Sequence, residues 1–395
     1  MVIRNFWHSK LDNIWKRRRL IWLAGVRRSG KTCLCESIRG AEIFDCELPR
    51  TRRMIEGDPE GFLNDLRNRT IVFDEIHRLS NPSEVLKIAV DHYQDIRLIA
   101  TGSSTLGASR KFRDTLTGRK ETLWLTPMIA RDCEDFGNTN IDHRFLHGGL
   151  PPFFASKSIN EAEYQEWIDA FWAKDVVELY RLTRRDSFQK MTELVFAQSG
   201  GQFNSVNMGR ACGFSHTTAA AYLEILRSSF VAHVIRPFST SKESEIVKQP
   251  KVYAFDTGFA CYFKGISSLR PEDRGDLWEH YVLNELHAYL QTQNILYWRT
   301  KSGDEIDFII PNRSDKKAPV AIECKWSSER FSYKAMKAFR RLYPSGLNYV
   351  VCQDVDRSFR RDFDGVRVAF VSLKQLVKEL LAHPHDMMTG RPTDQ

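Results

Sequence analysis

Two sets of residues in this chain have the types and the spacing to do chemistry on phosphate. The first is Gly25-Val26-Arg27-Arg28-Ser29-Gly30-Lys31-Thr32, a full match to G-x-x-x-x-G-K-[ST]. Gly25 and Gly30 let the backbone curl so that successive N–H groups, through Arg28, Ser29 and Gly30, point at phosphate oxygens. Lys31 carries a mobile charge toward the outer phosphates, and the Thr32 hydroxyl reaches a Mg2+ ion. The loop lies between an apolar strand, 20–24, and a helix over 31–38 whose N-terminal dipole favours an anion. Ile71-Val72-Phe73-Asp74-Glu75 supplies the partner: an apolar strand delivers Asp74 to the Mg2+ shell and Glu75 to polarise the attacking water. A Glu directly after that Asp points to hydrolysis, so ATP and Mg2+ are the expected cofactors. A third strand, 97–101, runs into Thr101-Gly102-Ser103-Ser104, where Ser103, in preference to Thr101, is read as the γ-phosphate sensor. Arg119 is read as an arginine finger reaching a neighbouring subunit, which implies a homo-oligomer; a solvated surface arginine is the plain alternative.

The second set lies near the other end. Asp307 sits in Glu305-Ile306-Asp307-Phe308-Ile309-Ile310, where apolar residues 306, 308 and 310 alternate with it. Fifteen residues separate it from Glu323 in Ala321-Ile322-Glu323-Cys324-Lys325. On a strand, Glu323 and Lys325 point to the same face. Two carboxylates there can hold Mg2+ or Mn2+, while the lysine acts on the water nucleophile at a scissile phosphate. Glu279, on a helix over 275–290, completes the metal shell. The set reads as a metal-dependent nuclease centre acting on DNA; a charge pair on an ordinary strand is the bland reading.

Three blocks of chain position these residues. Over 1–125, short apolar runs alternate with helical stretches, the pattern of an α/β domain with a parallel sheet and crossover helices. The block 126–266 reads mainly helical, with three- and four-residue apolar spacing over 161–182 and 188–198. Within it, 207–212, a Gly213-Phe214-Ser215 turn and 216–226 form a helix-turn-helix, and 230–235 fits the strand of a wing. The block 267–395 is a helix followed by strands at 295–299, 305–310 and 320–324.

Composition narrows the class. At 395 residues the chain exceeds one ordinary core. No stretch approaches the roughly 18 apolar residues of a spanning helix, and the N-terminal residues lack the apolar core of a secretory signal. The eight cysteines show no C-x-x-C pair, which fits reduced thiols in a cytoplasmic protein without zinc. A net charge of +8 is compatible with DNA as partner.

With these residues in view, the chain resembles a large prokaryotic family of AAA-type ATPases fused to a C-terminal domain of unknown function that looks like a restriction endonuclease. The resemblance rests on Gly25 to Thr32, Phe73 to Ile76, Ala100 to Ser104 and Gly148-Gly149-Leu150-Pro151. It rests further on Val252-Tyr253-Ala254-Phe255-Asp256-Thr257-Gly258, Leu277-Trp278-Glu279, Tyr297 to Gly303 leading into Asp307, and Glu323 to Trp326. Pro152 departs from the family, which usually has a charged residue there. The resemblance implies an ATPase domain, a winged-helix segment and a nuclease-like domain. Two rival roles remain open: an ATP switch that binds DNA or protein without cutting, and an ATPase whose nuclease-like domain is a binding platform.

Overall fold

The computed structural model describes residues 1–102, 116–180, 182, 184–239, 249–312, 315 and 318–382. The chain divides into two compact units, residues 1–189 with 221–231, and residues 190–220 with 232–395, so the middle sequence block is shared between them.

The first unit is built on a five-stranded sheet of β1 (Leu20–Ala24), β2 (Ala41–Asp45), β3 (Thr70–Asp74), β4 (Arg97–Gly102) and β5 (Lys120–Trp124). All its pairings are parallel and the order is β2-β3-β4-β1-β5. Every residue of β1 is buried, as expected where helices cover both faces of a parallel sheet. Helix Asn5–Trp15 packs on β1 and β5, with Trp7, Leu11 and Ile14 on one buried stripe. Because β4 lies between β1 and β3, its carboxyl end falls between the phosphate loop and Asp74. The edge strands β2 and β5 escape a sequence reading because AEIFD and KETLW each carry two charged residues, whereas β1 has none and β3 and β4 have one each, at an end.

The helical run expected over 161–182 is interrupted. Helix Glu161–Ala170 passes into a π-helical turn, Phe171–Val176, before resuming as Val177–Tyr180.

The second unit carries a nine-stranded mixed sheet. Its strands are β6 (Gly201–Gln202), β7 (Ala232–Pro237), β8 (Lys251–Ala254), β9 (Leu296–Arg299), β10 (Glu305–Ile310), β11 (Val320–Lys325), β12 (Asn348–Cys352), β13 (Phe359–Phe363) and β14 (Val366–Val371). They lie in the order β13-β14-β12-β11-β10-β9-β7-β8-β6. Helix Asp273–Leu290 buries Leu277, Trp278, Val282, Leu283 and Leu286 and packs on β11. On helix Lys334–Leu342, Met336 and Phe339 join a core with Ile306, Ile309, Ala321 and Phe370.

The helix-turn-helix elements form as helices Ser205–Cys212 and His216–Ser228. Asn204 caps the first, Gly213 ends it in a left-handed conformation, and Ser215 Oγ accepts from Thr218 N–H at 3.1 Å to cap the second. The strand expected from 230 begins only at Ala232, since Phe230 turns at φ 61° with its ring stacked on Trp124. Among the described residues, no helix is long and apolar enough to cross a membrane.

Candidate nucleotide site and a second charged centre

The loop between β1 and helix Lys31–Glu36 follows from its glycines. A Cβ on Gly25 would stand 2.4 Å from the Leu125 carbonyl oxygen, and Gly30 adopts φ 94° as the helix cap. Lys31 is buried, and its Nζ donates to the carbonyls of Gly25 at 2.8 Å and Val26 at 3.2 Å. Thr32 Oγ1 donates to Asp74 Oδ2 at 2.8 Å, so the two side chains expected at a Mg2+ ion stand together. Ser29 Oγ is buried without a hydrogen-bond partner among the described residues. An orphaned hydroxyl, a backbone cradle that only glycine allows and a paired hydroxyl–carboxylate fit a Mg2+–nucleotide.

Asp74 is fixed from its other oxygen by the Thr101 hydroxyl, whose Oγ1 also accepts from Glu75 N–H at 2.9 Å. Glu75 is turned into a left-handed conformation at φ 49° directly after the strand, with His77 Nδ1 3.3 Å from its carboxylate. Burial raises its carboxyl above the usual range. Lys31 and Arg27 pull it down, whereas Asp74 and Asp175 push it further up. Burial also lowers the Lys31 ammonium, against the pull of Glu75, Asp175 and Asp74. A partly buried carboxylate with raised basicity near a buried lysine has the character of a general base for water.

In the second unit, Lys325 Nζ lies 2.8 Å from Glu323 and 3.6 Å from Asp307, so both carboxylates converge on one ammonium. The antiparallel register of Phe308 on Ile322 and Ile309 on Ala321 sets Asp307 opposite Glu323 one step further on. Cys324 N–H donates to Asp307 at 2.7 Å. The simple alternation expected around Asp307 is broken by a bulge in the β9–β10 pairing between Ile306 and Ile309, which puts those two residues in one core.

Glu279 lies near enough to Asp307 and Glu323 for their charges to act on one another, but it is paired with a different lysine. Lys251 Nζ on β8 donates to it at 2.7 Å and to Glu305 at 2.8 Å, and the Tyr253 hydroxyl makes a short bond to the same Glu279 oxygen. Among the described residues no three His, Cys, Asp or Glu side chains form a metal-holding group. In this arrangement Lys325 lies between Glu323 and Asp307, and Lys251 between Glu279 and Glu305, so each lysine sits on a carboxylate expected to hold an ion. Lys251 and Tyr253 are site residues that the sequence marks only by their i, i+2 spacing on β8.

With this geometry in place, comparison decides the class of the first unit. Residues 17–133 match a family described as an AAA domain. This segment is an AAA-type ATPase domain. Residues 138–270 and 274–376 match two domains of unknown function, DUF8612 and DUF4143. Uncharacterized proteins of Mycobacterium bovis and Mycobacterium tuberculosis are each 27% identical over 312 residues, 76% of this chain and 70% of the relative. A Walker-type ATPase of Pyrococcus abyssi superposes with a TM-score of 0.42 at 14% identity, over 67% of this chain and 96% of that one.

Of the residues expected in the AAA domain, Gly25, Ser29, Gly30, Lys31, Thr32, Asp74 and Glu75 meet around the loop. Arg28 turns its guanidinium outward to Glu166 at 2.8 Å. Ser103 lies outside the described residues, and Thr101 takes the position beside Asp74. Arg119 is bound through Nε and Nη2 to Asp91, at 2.7 and 3.0 Å, within its own chain.

The second centre carries a pH prediction. Burial, with Asp307 and Glu279 nearby, raises the Glu323 carboxyl to about 8 against the pull of Lys325. A folded pKa above the unfolded value means the folded form holds the proton more tightly. Its stabilising contribution is then present below the unfolded pKa near 4.5 and lost as pH rises through about 8. In the same unit, burial lowers His287 to about 4, so its contribution is lost as pH falls from roughly 6.5 toward 4. In EDTA, the urea midpoint of the second unit should fall between pH 6.5 and 8.5, and Glu323→Gln should flatten that slope. An equally steep decline in Glu323→Gln would refute the assignment.

Proposed function

We propose that this protein is an ATP-hydrolysing switch whose nucleotide site governs a D…E-x-K centre that cuts DNA with Mg2+ or Mn2+. The observation that carries the reading is the convergence of Asp307 and Glu323 on Lys325. Two buried carboxylates brought together favour a cation, and Glu323 is the more basic for its burial. Asp307 and Glu323 would hold the ion, which supplies positive charge for the scissile phosphate and its water. Lys325 orients that water, and Glu279 is available once Lys251 releases it. DNA as substrate is supported by the net charge of +8 and the capped helix pair 205–228.

Asp307→Ala should lose metal-dependent cleavage by at least about 100-fold while leaving ATP turnover within roughly twofold. The assay is nicking of plasmid and linear DNA with Mg2+ or Mn2+, with and without ATP. Absence of cleavage by the wild type under every condition would end the nuclease reading.

One observation favours a second reading. Lys251 pairs with Glu279 and Glu305, and Lys325 with Glu323 and Asp307, so the carboxylates that would take an ion are already engaged by the chain's own lysines. That suits a binding platform moved by the ATPase. In that case Asp307→Ala and wild type bind DNA alike and neither cuts it.

A further inference from the structure

Arg27 sits inside the phosphate loop, between Gly25 and Lys31, and one helical segment holds both of its ends. Trp167 Nε1 donates to the Arg27 carbonyl oxygen at 3.0 Å, and Arg27 Nε donates to Asp175 Oδ2 at 3.2 Å. Trp167 and Asp175 are both buried. They are eight residues apart, which on a regular α-helix would turn them about 80° away from each other. The π-turn Phe171–Val176 absorbs about one residue of rotation and brings the two onto nearly the same side. The widened turn is thus what aims Asp175 at the loop.

Asp175 engages Arg27 through Nε alone. The two terminal nitrogens of Arg27 have no partner among the described residues, and its side chain is 24% exposed. The other arginines considered for the site differ: Arg28 is turned out to Glu166, and Arg119 commits Nε and Nη2 to Asp91. The charges of Arg27 and Asp175 both act on Lys31 and on Glu75. Those are the groups between which the outermost phosphate and its attacking water belong. An uncompensated carboxylate there would repel ATP; paired with Arg27 it instead holds a donor fork in readiness.

We propose that Arg27 contacts the γ-phosphate of ATP within its own chain through its terminal nitrogens, with Asp175 as the residue that positions it. The inference rests on the ATPase reading and adds to it an arginine supplied in cis. It predicts discrimination between nucleotides, because ADP lacks the group Arg27 meets.

The test is calorimetric binding of ADP and of a non-hydrolysable ATP analogue, with Mg2+, to the full chain. Arg27→Ala should weaken the analogue roughly 10- to 100-fold and ADP by no more than about twofold. Arg27→Lys, which keeps the charge and the Asp175 bond but not the fork, should show the same selectivity loss in smaller measure. It serves as the test if the alanine variant does not fold. Asp175→Asn should shift the analogue-to-ADP ratio in the same direction, and that shift should vanish when Arg27 is already alanine. Equal loss of both nucleotides, or loss of neither, in Arg27→Ala overturns the proposal. An Asp175→Asn shift that persists without Arg27 overturns the positioning role. A wild type that binds neither nucleotide would instead remove the ATPase reading beneath it.

Discussion

Glu75→Gln protein should bind ATP as tightly as the wild type and turn it over at least about 100-fold more slowly. The amide keeps the size of the side chain and the backbone bond from Glu75 N–H to Thr101, but it cannot accept a proton from water. Lys31→Ala should do the reverse and abolish tight binding, since the buried Lys31 ammonium is the loop's charge for the outer phosphates. The sign of the pH dependence follows from the raised Glu75 carboxyl. The base works only when deprotonated, so turnover should fall as pH drops through a value above the ordinary glutamate range. Steady-state turnover with separately measured nucleotide affinity reads all three effects. Turnover of Glu75→Gln within about twofold of the wild type would mean that another group activates the water.

The loop, β1, β3 and β4 were legible in the sequence because each is a buried apolar strand ending in a chemically marked residue. The edge strands were not. Charges in β2 and β5 are tolerated where one edge meets solvent, and no local pattern marks them as strands. Position in space was the larger gap. Nothing in the local spacing places Asp175 against Arg27, a contact 148 residues apart in sequence that depends on a π-turn inside an apparently regular helix. Thr101 shows the same limit, since it is one of several small polar residues at a strand end. Only the insertion of β4 between β1 and β3 shows that Thr101 lies against Asp74. For Glu279, the helix is legible nearly to its ends, yet its partner Lys251 comes from β8, one residue before the family pattern that begins at Val252 and 28 residues from Glu279 in sequence.

Asp132→Ala should destabilise the first unit by about 3–5 kcal/mol and weaken nucleotide binding as a consequence. Asp132 is fully buried and accepts from four donors: Arg4 Nε at 2.9 Å, Arg4 Nη2 at 2.6 Å, Trp7 Nε1 at 3.1 Å and Ile129 N–H at 3.0 Å. Arg4 in turn donates from Nη1 to the Ser29 carbonyl at 2.9 Å, so one guanidinium ties the start of helix Asn5–Trp15 and the carboxylate Asp132 to the phosphate loop. Truncating Asp132 leaves a buried cation, an indole N–H and a backbone N–H without their acceptor. The penalty comes from those stranded groups and not from the worth of the pair itself. Replacing both partners, as Arg4→Met with Asp132→Leu, removes the stranded charge and should recover part of the loss, although Ser29 O then loses its donor. Hydrogen exchange of amides in helix Asn5–Trp15 and β1 reads the first unit by itself, which matters in a chain of two units where one global midpoint has no single meaning. A single-variant cost below about 1 kcal/mol, or a double variant less stable than Asp132→Ala, would show that the buried pair does not set the stability of the loop's support.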